Sequence, residues 1–223
     1  MELILDTASV KDIKELCEIL NIDGVTTNPS ILSRQERTDL DNQLNEIIAI
    51  LKPEQKFFVE VLANNCDDMV KEAEYINCLR ENTYAKIPVS AEGLKAIKIC
   101  HERNLKTLAT AVFTSTQAYL AGKNGADYIA PYCNRMKSYQ EDYIEETLLM
   151  QQFIWENEFN CKIVAASFKE VDQIKALMKG GIDAVTINPD LCRAMFIHEG
   201  TDKAIEGFEK DWYQRYNRLT LKD

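Results

Sequence analysis

Lys86 stands inside an apolar run that is typical of a buried β-strand, TYAKIPVSAEG (83–93). An ammonium group is costly to bury, so a folded protein pairs it, deprotonates it or leaves it in water. A desolvated lysine releases its proton more readily, and the free amine can attack a carbonyl carbon to form a Schiff base. Lys86 is therefore a candidate nucleophile for chemistry on a carbonyl compound.

Two acidic side chains could serve that amine. Asp6 lies near the end of LILDT (3–7), and Glu60 lies within FFVEVL (57–62). Next to an imine, carboxylates can balance the positive charge and move protons. Either acid alone is equally well explained as a satisfied polar group of the core. Two acids and a lysine in one interior are rarely buried without pairing or purpose, which favours a catalytic role.

The chain alternates short β-rich runs with amphipathic helical stretches. The predicted strands are LILDT (3–7), GVTTN (24–28), FFVEVL (57–62), TYAKIPV (83–89), TLATAVF (107–113), YIAPY (128–132), KIVAAS (162–167) and AVTIN (184–188). Their starts recur every 21 to 34 residues, the length of a strand plus a return helix. Eight such parallel units predict an α/β fold, a (β/α)₈ TIM barrel, as one domain over residues 1–223. A doubly wound open sheet is the alternative.

In a TIM barrel the C-terminal ends of the strands meet at one mouth, where active sites lie. Besides the lysine and the two acids, the polar residues at or just after those ends are Thr26, Thr27, Asn28, Thr110, Tyr132, Asn134, Arg135, Ser167, Lys169 and Asn188. All of them are therefore expected to converge on one site.

An extra helix is predicted after the eighth unit, over residues 202–223. Phe208, Trp212 and Tyr216 follow one another at intervals of four residues, so they form a stripe along one face of that helix. A stripe of this kind has to pack on something, either its own barrel or a neighbouring subunit.

Composition argues against several classes of protein. The formal net charge is −10, whereas a nucleic-acid binder usually presents a basic face, so no nucleic-acid partner is expected. An anionic small molecule can still bind at a local basic cluster. No run is long and apolar enough to cross a membrane, and the start lacks the features of a secretory signal. We therefore expect a cytoplasmic protein without a membrane partner.

The residue types that bind metals are sparse and scattered. Seven cysteines occur without a C-x-x-C pair, and the only histidines, His101 and His198, are predicted to lie on the surface. A metal-dependent aldolase or hydrolase would place several such ligands at strand ends. No phosphate-binding P-loop, nucleophile elbow or glycine-rich dinucleotide turn occurs either. The expectation is a site with no metal and no cofactor.

Several segments carry a resemblance to a known family. They are LDTAS (5–9), GVTTNPSIL (24–32), AKIPVSAEGLKAIK (85–98), ATAVFTSTQA (109–118), GADYIAPYCNRM (125–136) and IVAASFK (163–169). Together they resemble the transaldolase family, in particular its short, single-domain branch that includes fructose-6-phosphate aldolase. The likeness runs in order from residue 3 to about residue 215, and GVTTNPS and K-[IV]-P-V-[ST]-x-E-G are specific signatures. It implies a class I, Schiff-base barrel enzyme that acts on a sugar phosphate.

The resemblance also implies catalytic roles. Lys86 would form an imine with the C2 ketone of a ketose phosphate, and Asp6 would take the proton of the C4 hydroxyl as the C3–C4 bond breaks. Glu60 and Thr110 would hold the water that relays protons. The phenol of Tyr132, beside the enamine, would help to position the water or proton donor that releases free dihydroxyacetone.

Substrate-binding roles are implied at five further positions. Thr27 and Asn28 would bind the substrate, with Asn28 contacting the bound dihydroxyacetone unit. Arg135 and Ser167, helped by Lys169, would bind the substrate phosphate through charge-assisted hydrogen bonds.

Two reactions remain open within this family. Tyr132 follows the aldolase branch, where transaldolases have Phe, and Ala130 adds to that preference because larger transaldolases have Ser there. Glu60 follows the transaldolases, where the aldolase branch has Gln. The aldolase, which releases free dihydroxyacetone, is favoured. The alternative is a transaldolase of the pentose phosphate pathway, which hands the same three-carbon unit to an aldose phosphate.

Other classes are less consistent with the sequence. A non-catalytic sugar-phosphate sensor would be expected to have lost Asp6, Lys86 or Thr110, and all three are present. A deoxyribose-phosphate-type aldolase would carry its lysine on a different strand. Short members of the family form pentameric rings that pair into decamers, so the resemblance implies a homo-oligomer, with the terminal helix reaching a neighbour.

Overall fold

The computed structural model of the protein describes residues 1–35, 39–139 and 142–222. Eight parallel strands close into a barrel, each paired with the next along the chain and the eighth with the first. They are β1 (Glu2–Asp6), β2 (Gly24–Thr26), β3 (Lys56–Glu60), β4 (Thr83–Pro88), β5 (Thr107–Val112), β6 (Tyr128–Pro131), β7 (Lys162–Ala165) and β8 (Ala184–Ile187). The expected (β/α)₈ TIM barrel is confirmed, and the open sheet is excluded.

Helices surround this barrel. The described residues form α1 (Val10–Ile19), α2 (Pro29–Leu32), α3 (Leu40–Ile50), α4 (Cys66–Cys78), α5 (Ala91–Glu102), α6 (Ser115–Lys123), α7 (Cys133–Lys137), α8 (Tyr143–Glu156), α9 (Val171–Lys179), α10 (Pro189–Ala194) and α11 (Glu199–Tyr216). Three short helices, α2, α7 and α10, follow β2, β6 and β8 directly and were not predicted. They span four to six residues, too few for an apolar period to show.

Alternation along the strands separates two cores. Outward side chains such as Phe57 and Ile87 pack against the helices. Inward side chains fill the lower barrel, where the rings of Phe58, Tyr84 and Tyr128 lie with their centres 4.9 to 5.3 Å apart. The aromatic layer closes the barrel below and leaves the space above it to polar residues.

The same alternation places the candidate catalytic residues. Side chains two apart in a strand share a face, so the inward positions that follow the aromatic and aliphatic layer on β1, β3 and β4 are Asp6, Glu60 and Lys86. Glu60 and Lys86 are direct partners in the register between β3 and β4. A step of two residues along each of these strands therefore leads from the hydrophobic layer to the layer that holds the candidate catalytic residues.

The terminal helix differs from its prediction. It begins at Glu199 and ends at Tyr216, where Asn217 takes the left-handed conformation that stops a helix. The predicted end, Asp223, lies outside the described residues. No residue of α11 is buried, and Phe208 is 71% exposed. The alternative in which the aromatic stripe packs on its own barrel is therefore wrong.

Both histidines are exposed, as expected. His198 lies in the loop before α11 and accepts a hydrogen bond from the Gly200 amide. All seven cysteines are free thiols. Within the described ranges, no helix combines the length and the apolarity needed to cross a membrane.

Candidate active site

Lys86 lies at the centre of the barrel mouth and is only 5% exposed. Its Nζ donates a hydrogen bond of 2.7 Å to the Thr27 carbonyl and lies 3.3 Å from Glu60 Oε2. The lysine thus contacts both the residue that follows β2 and the last residue of β3. Its nitrogen points into the barrel, as imine formation requires.

The contact between Lys86 and Glu60 is an ion pair rather than an aligned hydrogen bond. Glu60 Oε2 is buried and accepts no hydrogen bond from any of the described residues. A buried carboxylate oxygen without a donor is costly, so the site is prepared to receive a donor such as a water or a substrate hydroxyl. Such a water would lie beside the amine, where imine formation releases one.

Asp6 is held by a chain of hydroxyl groups. Thr26 Oγ1 donates to Asp6 Oδ1 at 2.7 Å and lies 2.8 Å from Thr186 Oγ1. Thr26 was predicted to lie at a strand end but was given no role, and Thr186 was not predicted as a site residue. The available signal was a threonine at an inward position of the apolar strand AVTI (184–187), where a β-branched aliphatic residue would pack equally well.

Thr110 and Tyr132 form a second hydroxyl pair, with their oxygen atoms 2.9 Å apart. A bulge in β5 precedes this arrangement: the register with β6 shifts between Ala109 and Val112, and Ala111 takes φ +55°. Thr110 stays inward while Val112 packs outward in the helix-facing core. An alanine in this conformation is strained, and such strain concentrates at functional sites.

The basic residues line the outer part of the mouth. The guanidinium carbon of Arg135 lies 4.8 Å from the centre of the Tyr132 ring, a cation–π distance. Ser167, two residues beyond the end of β7, takes φ +66°, and Lys169 follows two residues later. Arg34, which the sequence did not single out, adds a third cation.

The mouth is one cavity with two portions, of about 100 Å³ inside and about 480 Å³ outside. The inner portion is lined by Asp6, Thr26, Asn28, Lys86, Leu108, Thr110, Ala130, Tyr132, Arg135, Val164, Ala166, Ser167 and Thr186. The outer portion shares several of these residues and adds Pro29, Ser30, Ile31, Arg34, Glu60, Phe168, Lys169 and Asn188. The outer portion, or rim, therefore holds three cations, Arg34, Arg135 and Lys169, together with the acids Asp6 and Glu60. Lys86 lines only the inner portion.

Two neighbours in the TTN sequence behave differently. Asn28 caps α2 through Oδ1, which accepts from the Ile31 amide at 2.9 Å, and its side chain lines the cavity. The Thr27 hydroxyl instead donates to the Phe58 carbonyl, outside the cavity lining. The structure thus assigns Thr27 to holding Lys86 through its carbonyl, rather than to substrate contact through its side chain. The other residues that the sequence predicted at the strand ends line the cavity, except Asn134, which belongs to neither portion.

Cavity size alone does not select this site. A hollow of about 480 Å³ also lies on the outer surface between α4 and α5, lined by residues such as Asn65, Glu92 and Lys98. It holds no buried amine, and its lysines and acids face solvent, where Lys95 pairs with Glu92. Within residues 1–35, 39–139 and 142–222, no group of three His, Cys, Asp or Glu side chains could hold a metal ion.

The geometry of the mouth agrees with a comparison against known families. The model of the transaldolase/fructose-6-phosphate aldolase family matches residues 3–221, nearly the whole chain. Enzymes of this family act on sugar phosphates through a Schiff base, which is the chemistry that a buried lysine beside a carboxylate at a barrel mouth can perform. The chain therefore belongs to the transaldolase/fructose-6-phosphate aldolase family, and is an enzyme of the transaldolase or aldolase kind.

Proposed function

We propose that this enzyme is a fructose-6-phosphate aldolase that reversibly cleaves fructose 6-phosphate to dihydroxyacetone and glyceraldehyde 3-phosphate. Lys86 attacks the C2 ketone and, after loss of water, forms the imine. Glu60, 3.3 Å from the amine and with an oxygen open to a donor, holds the water that leaves here and returns at hydrolysis.

Bond cleavage then uses the acid on the opposite wall. Asp6 takes the proton of the C4 hydroxyl, the C3–C4 bond breaks, and its electron pair moves to C3 as the imine becomes an enamine. Carbons 4 to 6 leave as glyceraldehyde 3-phosphate. The hydrogen bond from Thr26 keeps the Asp6 carboxylate aimed into the cavity.

The phosphate end of the substrate lies at the basic rim. Arg135, Ser167 and Lys169 line the outer portion together and can supply charge-assisted hydrogen bonds. Asn28, whose carbonyl oxygen caps α2, can turn its amide group toward the dihydroxyacetone hydroxyls. This division gives an acidic protein a local site for a dianion.

The contact between the Thr110 and Tyr132 hydroxyls supports release of free dihydroxyacetone. The enamine has two fates: protonation at C3, which leads to release, or attack on a second aldehyde, which leads to transfer. A phenol hydrogen-bonded to a second hydroxyl can hold a proton donor at the mouth, whereas phenylalanine cannot. Tyr132 therefore favours protonation.

Transaldolase remains the second candidate because of Glu60. A carboxylate accepts protons that an amide cannot, and its position beside Lys86 matches the pattern of the transferring enzymes. In that case sedoheptulose 7-phosphate or fructose 6-phosphate would be the donor, and an aldose phosphate such as erythrose 4-phosphate the acceptor.

Incubation with fructose 6-phosphate, with and without erythrose 4-phosphate, tests the proposal. Formation of glyceraldehyde 3-phosphate without the acceptor supports the aldolase, whereas strict dependence on the acceptor assigns a transaldolase. Reduction with borohydride during the reaction should add a three-carbon mass to Lys86, and none in Lys86→Met. An unmodified wild-type lysine would indicate a binding protein instead.

The proposed assembly is a homo-oligomer, a pentamer or decamer, in which α11 contacts a neighbouring subunit. Support comes from the stripe of Phe208, Trp212 and Tyr216, which its own barrel leaves uncovered. A single domain over residues 1–223 and a cytoplasmic location stay predictions.

A further inference from the structure

Gln173 is a buried amide that lies outside the cavity. It is the third residue of α9 and is 4% exposed, yet it lines neither portion of the mouth. Its Oε1 accepts hydrogen bonds from the amides of Lys169, at 2.7 Å, and Glu170, at 3.1 Å. A glutamine at this position commonly caps its own helix in this way, so these two bonds need no functional explanation.

The other end of the same amide has a partner that capping does not require. Gln173 Nε2 donates to Asn134 Oδ1 at 3.3 Å, 39 residues away along the chain. Asn134 belongs to α7, directly before Arg135, and its backbone amide donates to the Ser167 carbonyl at 3.1 Å. One buried side chain thus joins the segment after β6 to the segment after β7.

Those two segments each supply part of the proposed phosphate site. Arg135 comes from the first, and Ser167 and Lys169 from the second. A phosphate is bound well only when donors from both segments reach its oxygen atoms together, and small displacements of such groups are costly. Gln173 holds the Lys169 backbone with one end and the neighbour of Arg135 with the other.

We infer that Gln173 is a positioning residue that fixes the distance between the two phosphate-binding segments and so sets the preference of the enzyme for phosphorylated over unphosphorylated substrates. It touches no substrate atom. The inference rests on the proposed location of the phosphate site, and it predicts a selective loss of phosphate recognition without loss of Lys86 chemistry.

The chain offers a matched control in Gln117. This glutamine is the third residue of α6 and accepts from the amides of Phe113, at 2.8 Å, and Thr114, at 3.2 Å, in the same capping arrangement. Unlike Gln173, it donates no hydrogen bond to another segment among the described residues. Substituting both glutamines by methionine removes the same cap from each helix, with similar side-chain volume.

The experiment compares Gln173→Met with Gln117→Met in two assays. The first is kcat/KM for fructose 6-phosphate, together with inhibition by inorganic phosphate. The second is the rate at which borohydride traps dihydroxyacetone on Lys86, which involves no phosphate. For Gln173→Met we expect KM and the phosphate inhibition constant to rise about tenfold, with trapping unchanged. For Gln117→Met, the ratio of kcat/KM to the trapping rate should equal that of the wild type, and so should the phosphate inhibition constant.

A double-mutant cycle separates the link between segments from the cap. Asn134→Ala removes the acceptor and leaves the Gln173 cap in place. If the link matters, Asn134→Ala raises the phosphate inhibition constant as Gln173→Met does, and the double variant is no worse than either. Additive effects, or an equal change in the Gln117 control, would overturn the inference.

Arg135→Ala distinguishes this failure from failure of the proposed site. If Arg135→Ala weakens phosphate inhibition but Gln173→Met does not, Gln173 has no positioning role and the phosphate site stands. If Arg135→Ala itself leaves phosphate inhibition unchanged, the phosphate lies elsewhere and both proposals fall.

Discussion

Replacement of Tyr132 by phenylalanine should change which reaction the enzyme performs. The substitution removes one hydroxyl, which lies 2.9 Å from Thr110 Oγ1, and keeps the ring. The ring should retain its contacts with Phe113, at 6.0 Å between centres, and with the Arg135 guanidinium, at 4.8 Å. The cavity therefore keeps its shape and loses only a proton donor and acceptor.

The expected magnitudes differ for stability and for rate. Loss of one neutral hydrogen bond costs about 1 kcal/mol of unfolding free energy. A positioned acid or base contributes about 100-fold to 10,000-fold to a proton transfer. Because Tyr132 shares its role with Thr110, the lower end applies, and release of dihydroxyacetone should slow by about 100-fold, equivalent to about 2.7 kcal/mol. Attack of the enamine on an added aldehyde needs no proton at C3 and should be spared.

The assay measures glyceraldehyde 3-phosphate formed from fructose 6-phosphate, with and without erythrose 4-phosphate. Tyr132→Phe should lose the reaction without acceptor and keep most of the reaction with it. Tyr84→Phe is the control, because that ring lies in the same barrel one layer below, and burial raises the pKa of Tyr84 to about 12 so that its phenol stays neutral. An equal fall of both reactions in Tyr132→Phe would show that the hydroxyl serves imine formation, and would refute the reasoning.

Three further predictions concern stability and assembly. Burial alone would raise the pKa of Glu2, but the hydrogen bond and charge of Lys162, 2.6 Å away, lower it below the ordinary value of 4.5. This stabilisation is therefore present above pH 4.5 and is lost as pH falls through the lowered pKa. Acid denaturation followed by circular dichroism should show that Glu2→Gln lowers the free energy of unfolding by up to about 1 kcal/mol at neutral pH and leaves it unchanged in acid. An equal difference at both pH values would contradict this. In urea titration, Ala111→Gly should leave the free energy of unfolding unchanged or raise it by up to about 1 kcal/mol. The reason is that relief of the strain at φ +55° matches or outweighs the larger conformational entropy that glycine loses on folding. The control, Ala109→Gly in the same strand, should destabilise the protein. Deletion of residues 202–223 should reduce the mass measured by light scattering to that of smaller species, and an unchanged mass would show that the terminal helix makes no subunit contact.

Much of the fold followed from spacing alone. The distance between strand starts predicted the eight units, and the rule that active sites lie at the C-terminal ends of barrel strands placed Lys86 and Glu60 at one mouth. The spacing is a local feature, because a strand and its return helix are written in consecutive residues. Short helices escaped prediction because fewer than two turns carry no period.

The sequence by itself determined the residue types at the mouth: an amine, two acids and three groups suited to a phosphate. Only the tertiary structure decided how they are held. The Thr26 and Thr186 hydroxyls are 160 residues apart, and Lys86 meets the Thr27 carbonyl across 59 residues. Such contacts depend on closure of the barrel and on the register between strands, which no local pattern specifies. For the same reason the sequence could not show that Thr27 turns its hydroxyl away from the cavity, or that Gln173 joins two segments of the rim.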